Sequence, residues 1–153
     1  MPGVGRAILA GGLIAGTVDI GAASLIFHAR PLVILCNIAG GLVGPAAARA
    51  GGLQTALLGL LLQWGMSLLI AAIYCLVALY LLWLLARPVL WGLAYGIAIF
   101  AVMNYVVVPL SAISRVPHFS PSMFALNLAA MLLFGLIISL AAHRFMRLAA
   151  SRS

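Results

Sequence analysis

Long apolar runs, separated by arginine and proline, constrain the fold of this chain more than any other feature of its sequence. Hydrophobic residues occupy 67% of its 153 positions and charged residues only 6%. A water-soluble domain cannot bury so much apolar surface, whereas a lipid bilayer solvates it. The runs reach or exceed the ~20 residues that a helical crossing needs. We therefore expect an all-α membrane protein.

Four of the runs are long enough to cross a bilayer, and they form a single predicted transmembrane domain. The predicted spans cover about residues 6–27, 53–85, 89–110 and 122–145. The second is longer than a perpendicular crossing needs, so it tilts or protrudes. Residues 31–49 are apolar but short, and glycine and proline interrupt them. We expect a four-transmembrane-helix bundle with a short re-entrant or interfacial helix between spans one and two, and a full crossing by that segment is the alternative.

The arginines indicate how the chain is oriented. All eight basic residues are arginines, scattered at the ends of the apolar runs, so membrane anchoring explains the net charge of +7 better than nucleic-acid binding. Four spans place five arginines on one side and three on the other. The five are Arg6, Arg87, Arg144, Arg147 and Arg152, and the three are Arg30, Arg49 and Arg115. Because cytoplasmic segments carry the basic excess, both termini are predicted to be cytoplasmic.

The first span carries Asp19, the only acidic side chain in the sequence. A carboxylate near the middle of a span costs at least about 2.5–3.5 kcal/mol, so it needs partners inside the bundle. Gly12 and Gly16 form a small-xxx-small pair, and Asp19 and Ala23 continue the same stripe. The acid is therefore expected to face a closely packed helix. The run resembles a signal peptide, but it lacks a convincing cleavage site, and we expect a retained span.

Polar side chains are predicted to form one layer in the outer half of the membrane. At 1.5 Å per residue, Asp19 lies roughly 18 Å and Asn104 roughly 22 Å from the inner ends of their spans. Gln63 lies about 15 Å and Asn127 about 8 Å below the outer boundary. Asn37, in the short segment, is expected to join them from above.

A second small-xxx-small pair, Gly92 and Gly96, lies on span three. We expect the two glycine faces to bring spans one and three together and to place Asp19 near Asn104.

Two functions are compatible with such a layer. In one, Asp19 titrates in a water-accessible pocket and passes protons or holds a small cationic solute, with the amides as polar lining. In the other, the same residues only fix helix packing in a non-catalytic accessory or structural subunit. The expected partners are the lipid bilayer and either a second copy of the chain or a larger membrane complex.

The sequence gives no indication of an enzyme, a cofactor or a metal site. Cys36 and Cys75 are isolated, which is typical of buried small residues and not of zinc ligands. His28, His118 and His143 fall at span ends or in a loop, where two histidines cannot face each other across a haem. No P-loop, dinucleotide fingerprint or nucleophile motif occurs.

Several glycine-rich and apolar motifs together resemble a known family. They are Ala10–Gly12, Gly16–Asp19, Ile38–Gly44, Tyr95–Gly96 and Met103–Ala112. With these motifs the chain is similar to the YagU-like family of small bacterial inner-membrane proteins. The resemblance implies an inner-membrane location and a link to acid tolerance. It also implies one histidine at the position of Gln63 and another close to Asn127. This chain has amides at or close to both positions and therefore departs from the family pattern.

Overall fold

A computed structural model describes residues 2–114 and 120–150, and within these ranges every regular element is a helix. The helices are α1 (Pro2–Ile26), α2 (Pro31–Val43), α3 (Pro45–Ala50), α4 (Gly52–Tyr80), α5 (Trp83–Ala86), α6 (Pro88–Val102), α7 (Val108–Leu110) and α8 (Pro121–Ala150), with a π-helical turn, Met103–Val107, joining α6 to α7. Arg115, His118 and Arg152 lie outside the described residues.

In the described part of the chain, four helical segments are long and apolar enough to cross a membrane. They are Gly3–Ile26, Gly52–Tyr80, Pro88–Leu110 and Pro121–Arg147. The chain is therefore a multi-pass integral membrane protein with an all-α fold, as the sequence predicts. Side chains at helix crossings are small, which lets the backbones approach. Ala15, Ala39, Ala71, Ala78 and Ala142 are fully buried.

The second span differs from its predicted form. Residues 53–85 are not one helix, because α4 ends at Tyr80 and the chain turns at Leu81 (φ −115°, ψ 74°) before the short α5. The turn allows Leu84 and Leu85 to enter the buried core. Proline also disfavours a helical residue before it, and Arg87 is accordingly non-helical (φ −129°, ψ 69°).

The segment after span one is a short helix followed by a shorter one. α2 has 13 residues, which corresponds to about 20 Å and is less than the ~30 Å of the hydrocarbon core. Gly44 separates α2 from α3 with a φ of +88°, a conformation that favours glycine, and Pro45 begins α3. α2 packs on α4, and Gly41 O accepts a 2.8 Å hydrogen bond from Ala112 N at the end of span three.

The glycine faces pair different helices from those predicted. α1 packs mainly against α8 and α4, and α6 packs mainly against α8. A Cβ on Gly12 would lie 2.9 Å from Leu68 Cα in α4, and a Cβ on Gly96 would lie 2.7 Å from Leu132 Cα in α8. The predicted pairing of spans one and three is therefore wrong. Small residues allow close approach but do not specify the partner helix, and the partner helix carries its own small residues.

Span three contains a π-helical turn just before a proline. Pro109 has no N–H to donate to the carbonyl four residues earlier, and its ring crowds that carbonyl. The helix widens at Met103–Val107 and then resumes as α7. Asn104, in this turn, is buried.

Candidate functional site

The single acidic side chain of the protein bonds to an amide on the neighbouring helix. Gln63 Nε2 in α4 donates a 2.8 Å hydrogen bond to Asp19 Oδ2 in α1. The helices meet closely here because Gly16 faces α4, where a Cβ would lie 3.0 Å from Ser67 Cβ. The sequence stripe of Gly12, Gly16 and Asp19 thus faces a packed helix, as expected, and that helix is α4.

Two further hydrogen bonds surround this pair. Trp64 Nε1 donates to Thr17 Oγ1 over 3.3 Å, which forms a second link between α4 and α1. Ser67 Oγ donates a 2.7 Å bond to the Gln63 carbonyl one turn earlier in α4. We call Asp19, Gln63, Thr17, Trp64 and Ser67 together the α1–α4 polar contact.

Asp19 is neither fully buried nor paired with a cation. Its side chain is half-buried, and Thr17 beside it is exposed. Within the described residues, Gln63 is its hydrogen-bond partner and no arginine forms an ion pair with it. A carboxyl group in this position accepts the Gln63 hydrogen in either protonation state. The arrangement therefore suits a group that gains and loses a proton, or one that holds a small cation.

The other predicted polar residues do not join this contact. Asn104 donates a 2.9 Å hydrogen bond to Phe100 O in its own helix. Asn127 is half-buried on α8, and Asn37 is exposed on α2. The structure thus brings Asp19 and Gln63 together. Asp19 was expected to lie near Asn104, but these two side chains share no hydrogen bond in the described structure. Amides can satisfy themselves on backbone carbonyls of their own helix, so equal depth in the membrane does not imply contact.

A second polar cluster lies nearer the other end of the bundle and was not predicted from the sequence. Ser139 Oγ donates a 2.7 Å hydrogen bond to Pro88 O. Because this bond uses the only hydroxyl hydrogen of Ser139, the Tyr74 hydroxyl is the donor in the 2.7 Å bond between Tyr74 and Ser139 Oγ. Tyr95 Oη donates a 2.7 Å bond to Ile70 O. These bonds link α4, α6 and α8. The available signal was a tyrosine in the interior of each of two apolar spans, since a buried hydroxyl needs a partner.

The chain matches no family model, no curated protein and no solved structure. Among the described residues, no group of three or more histidine, cysteine or acidic side chains is placed to hold a metal ion. Cys36 and Cys75 are free thiols, half-buried and buried respectively.

An apolar cleft of about 240 Å³ separates α4 from α6. Its lining combines large apolar side chains with the two tyrosines of the second cluster: Ile73, Tyr74, Val77, Leu84, Trp91, Ala94, Tyr95 and Ala98. Trp83 and Trp91 pack edge to face beside it, with ring centroids 4.2 Å apart. The cleft offers apolar surface and no charged group.

Proposed function

We propose that this integral membrane protein handles protons or a small cationic solute at Asp19. The observation that carries the proposal is the half-buried Asp19 carboxyl, which one amide contacts and which none of the arginines in the described part of the chain neutralises. An acidic side chain within a span is costly, and such residues usually mark ion or proton pathways. In this role, Asp19 binds the proton or cation, and Gln63 orients the carboxyl.

The surroundings of Asp19 support a role in binding. The α1–α4 polar contact also contains the Thr17 hydroxyl, which donates to Leu13 O and accepts from Trp64 Nε1, and the Ser67 hydroxyl, which donates to Gln63 O. A carboxylate, hydroxyl oxygens and an aromatic ring are groups that contact small cations in proteins. A path across the rest of the membrane is proposed to require a second copy of the chain, because Thr17 and Gly21 face outward from this one.

The second candidate is a non-catalytic accessory or structural subunit of a membrane complex. The apolar cleft between α4 and α6 favours it, because such a groove accommodates side chains of a partner helix. In this role the bond between Asp19 and Gln63 fixes the pairing of α1 with α4 and remains dry.

The family and location are proposed on the sequence resemblance alone. We infer a YagU-like protein of a bacterial inner membrane, with both termini in the cytoplasm. Among the described arginines, four lie at the end of the bundle where α1 begins and α8 ends: Arg6, Arg87, Arg144 and Arg147. Arg30 and Arg49 lie at the other end. This excess supports a cytoplasmic location for both termini.

Flux measurements in reconstituted vesicles test the proposed activity. Wild-type protein is expected to dissipate an imposed proton or monovalent-cation gradient faster than protein-free vesicles do. Asp19→Asn, which keeps the shape and can still bond to Gln63, is expected to reduce the rate to that of empty vesicles. Ser24→Ala is the control, since it removes a polar group of α1 whose hydrogen bond is to Ile20 O in its own helix. Equal rates for wild type and Asp19→Asn, or no flux by wild type, would favour the accessory subunit.

A further inference from the structure

A basic cleft lies at the end of α8, far from Asp19 along the bundle. It has a volume of about 540 Å³ and is lined by Leu140, His143, Arg144 and Arg147. These positions are spaced by three, one and three residues, so they share one face of the helix. Both arginines are exposed, whereas His143 is half-buried. The face therefore combines two guanidinium groups and an imidazole with one apolar side chain.

His143 is held in place by a contact with α5. Its Nδ1 lies 2.7 Å from Leu85 O. Because a carbonyl oxygen only accepts hydrogen bonds, Nδ1 carries the hydrogen, and Nε2 remains as the other polar atom of the ring. The imidazole is thus fixed between α8 and α5, and one wall of the cleft is formed before any ligand binds.

The cleft has an uncompensated positive charge. The only acidic side chain in the sequence, Asp19, bonds to Gln63 in the α1–α4 polar contact. Arg144 and Arg147 therefore have no Asp or Glu of this chain available to them. Arg6 and Arg87 belong to the same end of the bundle and strengthen the positive potential there. An anionic ligand is the complementary partner.

The position of the cleft along α8 corresponds to the membrane surface. α8 has 30 residues, or about 45 Å, which exceeds the ~30 Å hydrocarbon thickness. No charged residue occurs between Pro121 and Ala142, and Arg144 is the first beyond them. Leu140 lies one turn deeper on the same face, on the side of the hydrocarbon. The guanidinium groups thus lie at the level of lipid headgroups.

We propose that this cleft binds the phosphate of an anionic phospholipid. Arg144 and Arg147 contact the phosphate oxygens, because the planar guanidinium fork matches phosphate geometry. His143 Nε2 contacts the headgroup, and Leu140 packs against the upper part of an acyl chain. A juxtamembrane arginine contributes enough to anionic-lipid binding that removing one weakens it about fivefold, and removing both about 30-fold.

Lipid binding to the purified chain, measured by native mass spectrometry in detergent, tests this site. Phosphatidylglycerol is expected to bind more tightly than phosphatidylcholine with the same acyl chains. Arg144→Gln/Arg147→Gln is expected to weaken phosphatidylglycerol binding about 30-fold. Arg30→Gln/Arg49→Gln removes the same charge from the opposite end and is expected to leave it unchanged. All four arginines are exposed, so the variants are expected to fold.

Three results would overturn the proposal. Equal binding of the two lipids would show that charge is not recognised. Equal losses in the two double variants would show that net charge, and not the cleft, attracts the lipid. Displacement of phosphatidylglycerol by inorganic phosphate at an equal concentration would show that the cleft binds a soluble anion and not a lipid. Leu140→Gln separates the last case further, because it weakens lipid binding only if an acyl chain lies on Leu140.

Discussion

Gln63 Nε2 and Asp19 Oδ2 lie 2.8 Å apart, and their hydrogen bond joins α4 to α1 within the membrane-spanning part of the bundle. The partners are 44 positions apart in the sequence, so the bond forms only when the two helices pack. It satisfies the one carboxyl side chain of the protein, which forms no ion pair with any residue that the structure describes. Stability at this point and the proposed activity therefore depend on the same two side chains.

Gln63→Leu is expected to destabilise the protein by about 1–2 kcal/mol, because Asp19 loses its hydrogen-bond donor at membrane depth. Adding Asp19→Leu is expected to recover part of that loss, since no polar group then remains without a partner. Reversible unfolding in detergent measures the free energies of wild type, Gln63→Leu, Asp19→Leu and the double variant, and these four proteins form a double-mutant cycle. Strictly additive effects would show that the two side chains do not interact.

Gly96→Ala is expected to destabilise the contact of α6 with α8 by about 1–3 kcal/mol. The added Cβ would lie 2.5 Å from Met131 O and 2.7 Å from Leu132 Cα, and backbone atoms cannot move aside cheaply. Gly65→Ala is the matched control, because nothing lies within 4 Å of the corresponding Cβ. The control is expected to be neutral or to stabilise by up to about 1 kcal/mol through helix propensity. Thermal unfolding compares the two, and equal shifts would contradict the packing described.

Ser139→Ala is expected to cost more than Tyr74→Phe. The serine variant leaves both the Tyr74 hydroxyl and Pro88 O without their partner, a loss of about 1–3 kcal/mol. The tyrosine variant leaves Ser139 bonded to Pro88 O. It is therefore expected to lower the free energy of unfolding by about 0.6 kcal/mol, the average for side-chain hydrogen bonds between helices in membranes. Chemical unfolding gives both values. The opposite order would show that Tyr74 does not bond through Ser139.

The architecture could be predicted from the sequence because the bilayer imposes a simple length requirement. Apolar runs of about 20 residues identify crossing helices, and the four spans were found in this way. The interruption by Gly44 and Pro45 also identified the short segment after span one. The break at Leu81 was not foreseen, since no proline or glycine marks it. Burial of Leu84 and Leu85, a tertiary effect, accompanies it.

The site was predictable only in part, because partner choice is a tertiary property. The cost of Asp19 indicated that it faces another helix, and Gln63 was among the expected partners. Periodicity places residues on faces and depths but does not say which faces meet, so α1 was paired with the wrong helix. Asn104 satisfies itself within its own helix, which no depth calculation could reveal. Tyr74 and Ser139 were missed because single hydroxyl groups weaken a hydropathy pattern very little.

Infrared difference spectroscopy of wild type and Asp19→Asn tests most directly whether Asp19 exchanges protons with water. Asp19 is the only acidic side chain, so the carboxylic-acid C=O band that the variant lacks reports on this residue alone. We predict that, as the pH is raised from acid to mildly alkaline, this band gives way to a carboxylate band, and that it shifts in D₂O. A band that changes with neither pH nor D₂O would contradict the proposed proton or cation site and leave a packing contact.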